Sequence, residues 1–121
     1  MWWRIKNAIW NLKWRIQRFQ RGYADVDVWG MRDWFIVRVE PMLRQLQKSH
    51  MGYPERYGDE EWTSRLEKMA NHLHLMDDSN VIDELFNGDY SGHWTEIHKA
   101  IEDNRQKFFE MFVEDFYDLW D

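Results

Sequence analysis

Residues 23–46, running from Tyr23 through Gly30 and Pro41 to Leu46, constrain this chain more than any other stretch. At about 100° per residue, Val28, Trp29, Phe35, Ile36, Val39, Met42, Leu43 and Leu46 fall in one arc about 140° wide. An apolar stripe of that width predicts a helix touched by several neighbours, and thus the hub of a small helical domain. Asp25 is the expected N-cap, with Asp27 in the first turn near the positive end of the helix dipole. Gly30 is a weak point early in this helix. Pro41 removes a hydrogen bond and disfavours a helical Glu40, so a kink or restart is expected there.

The segment before it, residues 2–21, has two aromatic-bearing faces. Trp2, Ile5, Ile9, Leu12, Ile16 and Phe19 recur at spacings of three and four, a heptad-like seam that predicts a core-facing ridge. Trp3, Trp10 and Trp14 lie about 150° away, close to Arg21 and flanked by Lys6 and Arg18. Gly22 supplies the break after this helix.

Beyond the hub, residues 49–58 hold two Gly, one Pro and no apolar period, and read as a loop. Asp59 is the expected cap of a third helix whose stripe is Trp62, Leu66, Met69, Ala70, Leu73 and Met76. A short helix follows Asp78-Ser79-Asn80 and runs through Phe86. Residues 87–92 form a turn-rich loop. A long last helix is expected from about His93 to the end, with Trp94, Ile97, Ile101, Phe108, Phe112, Phe116 and Leu119 along its seam. Its acidic end, with Glu110, Glu114, Asp115, Asp118 and Asp121, opposes the helix dipole, and pairing with the basic first helix would relieve that. No β-type alternation, internal repeat or low-complexity tract is present. The expected fold is an all-α, compact bundle of four to five helices with a long C-terminal helix, in a single domain over residues 1–121.

Composition narrows the function classes. There is no Cys, which removes disulfides, thiolate chemistry and Cys-based zinc sites. No apolar run is long enough to span a membrane, and no secretory signal follows Met1. The net charge of −6 conceals an asymmetry. Residues 1–23 carry Arg4, Lys6, Lys13, Arg15, Arg18 and Arg21 and no acid, whereas the remainder holds 10 Lys/Arg against 22 Asp/Glu. An acidic body beside so short a basic arm works against extended contact with duplex DNA or long RNA. Nine Trp are more than a core of this size uses, so some belong at or near the surface.

Catalytic patterns are missing: there is no phosphate-binding Gly loop, no His-Glu-x-x-His and no nucleophile elbow. His98 with Glu102, and His72 with Asp77, are at most two-residue pairs, short of the convergent ligands a metal needs. The expectation is a non-enzyme with no metal and no cofactor. The sharper feature is the indole-and-guanidinium face of the first helix, Trp3, Trp10, Trp14, Arg18 and Arg21. Indoles stack on nucleobases and Arg forks pair with phosphate or carboxylate, which suits a nucleotide, a nucleic acid or a partner protein. The alternative packs those indoles beneath the acidic last helix with the cations paired around them. A membrane-surface role suits the helix less well while its apolar seam has a use in the core. Tyr53, in the loop with Met51, Pro54 and Tyr57, is the other candidate contact.

The stretch Arg18-Phe-Gln-Arg-Gly-Tyr-Ala-Asp-Val-Asp-Val-Trp29 resembles a group of small uncharacterised proteins encoded by bacteriophages and prophages. The likeness continues through Trp34-Phe35, Pro41-Met42-Leu43, Gly52-Tyr53-Pro54 and Glu61-Trp62, about the middle third of the chain. It implies a viral accessory protein in the host bacterial cytoplasm. Such proteins act by binding, counter-defence among their roles, with host proteins or small anionic nucleotide signals as partners. The expected function is therefore non-enzymatic sequestration of a host protein or a nucleotide signal. The alternative is a structural or assembly protein that forms homo-oligomers through its terminal helices.

Overall fold

The computed structural model describes residues 1–120, which form six α-helices and one 3-10 turn; no strand occurs among them. The helices are α1 (Trp2–Arg21), α2 (Asp25–Trp29), α3 (Met31–Ser49), α4 (Asp59–His74), α5 (Asp78–Leu85) and α6 (Trp94–Asp115), with the 3-10 turn at Phe116–Asp118. The all-α class and the long C-terminal helix are as expected, and the helix count exceeds the expectation because the hub is broken. At Gly30, with φ −122° and ψ 47°, the chain leaves helical geometry between α2 and α3. Contacts group the chain into two compact units, one over Met1–Phe35 and the other beginning at Ile36.

The first unit is α1, α2 and the start of α3. Gly22 ends α1 in the left-handed region, φ 86°, and its N–H donates to the Arg18 carbonyl at 2.9 Å. That conformation costs a residue with a Cβ about 1–2 kcal/mol, which accounts for glycine here. Asp25 is not the N-cap of α2. Ala24 holds that position, fully buried, and Asp27 accepts its N–H at 2.8 Å while the Asp27 N–H donates to the Ala24 carbonyl at 3.0 Å. An alanine cannot cap with its own side chain, so the reach-back from the third helical residue supplies the acceptor.

The second unit has the ordinary core. Every stripe residue of α4 except Met76 is buried, with Trp62, Leu66, Met69, Ala70 and Leu73 at 0–1 % exposure. α6 packs on α4 and α5. It adds Ile97 and Phe108, α5 adds Val81, and α3 contributes Ile36 and Leu43. α3 runs through Pro41 without a restart, giving up one backbone hydrogen bond. Asp59 is not the cap of α4 but its first helical residue, because Gly58 with φ 79° holds the cap position. Asp77 caps α5 by accepting the Ser79 N–H at 3.4 Å.

The acidic end of α6 finds its cations inside this unit. Asp115 is fully buried and accepts from Tyr57 Oη at 2.6 Å, Arg65 Nε at 2.9 Å and Arg56 Nη2 at 3.3 Å. Tyr57 stacks on Trp62 with centroids 5.9 Å apart and planes 6° from parallel. Burial raises the Tyr57 phenol pKa, and its bond to Asp115 pushes the same way.

Candidate functional site

α1 is the long helix whose apolar side chains find no core. It has no buried residue in 20. The expected inward seam is outward: Trp2, Ile5, Ile9, Leu12, Ile16 and Phe19 are 47–93 % exposed. The opposite side of the helix is the one that α2 approaches. The cause is electrostatic and local to the corner. Arg18 grips Asp27 with a two-pronged fork, Nη2–Oδ1 2.8 Å and Nε–Oδ2 3.1 Å. Arg21 Nη2 meets Asp25 Oδ1 at 2.5 Å, and Gln17 both donates to the Asp25 carboxylate and accepts its N–H. These contacts hold α2 to the indole-bearing face, against the sequence expectation that the guanidinium groups stand open.

Arg18 and Arg21 are thus the clasp of the corner. Their hydrogen bonds to Asp27 and Asp25 raise both guanidinium pKa values, and the bond from Arg21, with help from Gln17, lowers that of Asp25. Trp10 and Trp14 do come together, with ring centroids 6.1 Å apart and tilted by 36°. They share an open recess of about 440 Å³ with Asn7, Asn11 and Trp29. Trp29, assigned by periodicity to the buried hub stripe, is 74 % exposed on α2. Lys13 Nζ sits 4.9 Å from the Trp10 ring centre. The Trp14 indole N–H is buried without an acceptor, as is that of Trp34, which lines a second recess of about 420 Å³ with Arg21, Tyr23, Val28 and Met31. Trp3 is exposed, with the Arg4 guanidinium 5.6 Å from its ring centre.

Tyr53 belongs to the second unit, half exposed, beside a small recess formed with Pro54, Trp62, Asp118 and Trp120. The candidate residues therefore divide: Trp10 and Trp14 share a recess, Arg18 and Arg21 hold the corner, and Trp3 and Tyr53 stand elsewhere. Sequence reasoning missed Trp29 as a recess wall and missed the exposure of the aliphatic ridge. Asp25 and Asp27, four and nine residues past Arg21 and Arg18, are the signal that bears on which face α2 covers.

The histidines have partners of their own. His72 meets Asn104 at 2.9 Å, and His50 meets Thr63 at 2.9 Å. Glu102 is held by Arg105. Among the described residues no group of three or more His, Cys, Asp or Glu is placed to hold a metal, and no helix is long and apolar enough to cross a membrane. The architecture defines an all-α helical protein whose first helix holds no buried residue. The chain matches no protein-family profile, no curated protein and no solved structure.

Proposed function

We propose that this chain is a non-catalytic binding protein that works through its first helix. The supporting observation is the exposed ridge from Trp2 to Phe19 on a helix with no buried residue. A contiguous apolar patch of that kind on a folded surface marks an interaction site. With the phage-type resemblance at Arg18–Trp29, the biological reading is an accessory protein acting in the host bacterial cytoplasm, in counter-defence, by occupying a host protein. Purification of wild type beside an Ile9→Asp, Leu12→Asp variant, with mass spectrometry of what accompanies each, tests this. A species held by wild type and released by the variant is expected. Identical companions for both proteins would remove the ridge from the function.

The recess of Trp10, Trp14 and Trp29 supports a second reading, a nucleotide signal. Flat indoles offer stacking surfaces, Lys13 offers charge, and the Trp14 N–H lacks an acceptor. Titration with nucleotides, followed by Trp fluorescence, separates the two readings. Quenching lost in Trp10→Ala but kept in Ile9→Asp assigns the ligand to the recess.

A further inference from the structure

We infer that α1 is the basic strand of a two-stranded coiled coil, completed by an amphipathic helix of a partner protein that carries acidic residues along both margins of its apolar seam. This rests on the reading of α1 as the binding element and names the partner chemistry. Three observations carry it.

The first is register. Trp2, Ile9 and Ile16 repeat every seven residues, and Ile5, Leu12 and Phe19 repeat every seven between them. A seven-residue repeat over the whole helix keeps a single seam aligned with one partner helix, which a 3.6-residue surface pattern does not require. Ile9 and Ile16 in the first set with Leu12 in the second is the combination that favours two parallel strands.

The second is exposure. The six seam residues are all solvent-exposed, and within the first unit neither α2 nor the start of α3 serves as the second strand.

The third is charge at the seam margins. Lys6 and Lys13 border it on one side and Arg15 on the other, and α1 contains no acid. Among the described residues none of the three lies within salt-bridge distance of a carboxylate in the ion pairs formed at the corner, Lys13 acting on Asp25 only from longer range. Pairing two copies of α1 would bring cationic margins together with no carboxylate between them, so self-association is disfavoured and an acidic margin is required. The helix spans about 30 Å, so the partner segment is about three heptads long.

The experiment uses the full-length protein and two labelled probe peptides of four heptads with Ile and Leu in the seam. One carries Glu and the other Lys at both margins. Fluorescence anisotropy should show the Glu peptide binding about 100-fold tighter than the Lys peptide, with affinity falling as salt rises. Reversal of Lys6, Lys13 and Arg15 to Glu should invert that preference, and Ile9→Asp with Leu12→Asp should abolish binding while far-ultraviolet circular dichroism keeps its helical signal. Equal affinity for both peptides, or an unchanged preference after charge reversal, overturns the inference. So does binding to phosphatidylcholine–phosphatidylglycerol vesicles without binding of the Glu peptide, which would make the ridge a membrane-surface element. A concentration-independent dimer that Ile9→Asp dissociates overturns it in favour of self-assembly. If neither peptide binds and Ile9→Asp, Leu12→Asp still releases a companion retained by wild type, the partner chemistry is wrong while the binding role of α1 stands.

Discussion

Asp27 shows how much one side chain decides in a small unit. Its carboxylate closes the start of α2 through the Ala24 N–H and receives the Arg18 fork from α1. Asp27→Ala should cost about 1 kcal/mol from the cap alone. Loss of the two-pronged Arg18 contact, which is open to solvent on its guanidinium side, adds to that cost. Urea unfolding followed by circular dichroism checks this, and an unchanged midpoint would show that the corner stands without the clasp. Asp115 is the opposite case, a carboxylate out of water whose acceptors serve Tyr57, Arg65 and Arg56. Asp115→Ala leaves those donors without their buried acceptor and should destabilise by about 3 kcal/mol. A loss below about 1 kcal/mol would mean that solvent replaces the carboxylate easily.

Elements are held by what crosses between them. His74 at the end of α4 links Glu40 of α3 at 2.9 Å and Glu84 of α5 at 2.7 Å. Partial burial pulls the imidazole pKa down, but the bonds to Glu40 and Glu84 outweigh it, and the net shift is upward from 6.5. A folded-state value above the unfolded one means the folded state holds the proton more tightly. The resulting stability is complete below pH 6.5 and is lost as pH rises through the folded-state value. The stability gap between wild type and His74→Gln should therefore be larger at about pH 6 than at about pH 8.5, measured by urea unfolding at each. A gap that widens with pH contradicts the assignment. α1 behaves differently, since its ridge residues are exposed and the helix buries none of its side chains. Ile9→Asp and Leu12→Asp should each change stability by no more than about 0.5 kcal/mol, an effect expected only of exposed positions.

At the scale of the whole molecule, the two units differ in how their helices are supported. α4 buries Trp62, Leu66, Met69, Ala70 and Leu73, whereas α1 buries nothing. Hydrogen exchange should follow, with amides in the middle of α4 protected at least about 100-fold more than those in the middle of α1. Equal protection would mean that α1 opens only with global unfolding. Helix positions were largely legible from the chain because apolar period, Gly and Asp placement act within a few residues. The limits of α4 and α5 and the start of α6 fall within about two residues of their expected positions, within the usual spread of helix boundaries, but α6 gives way to a 3-10 turn after Asp115 where the helix was expected to run to the chain end. The hub was over-read: a stripe drawn through Gly30 joined Val28 and Trp29 to Ile36 and Leu43, although the backbone turns out of the helix between them. For α1 the grouping of residues into two faces was right and the choice of covered face was reversed. Periodicity is a property of one helix and states which side chains travel together. Burial belongs to a pair of elements, and here it followed Arg18 and Arg21 reaching Asp27 and Asp25, contacts that exist only once the chain has turned at Gly22. The sequence alone therefore determined the helices and their faces; which face of α1 meets solvent was decided by the clasp that tertiary structure assembles.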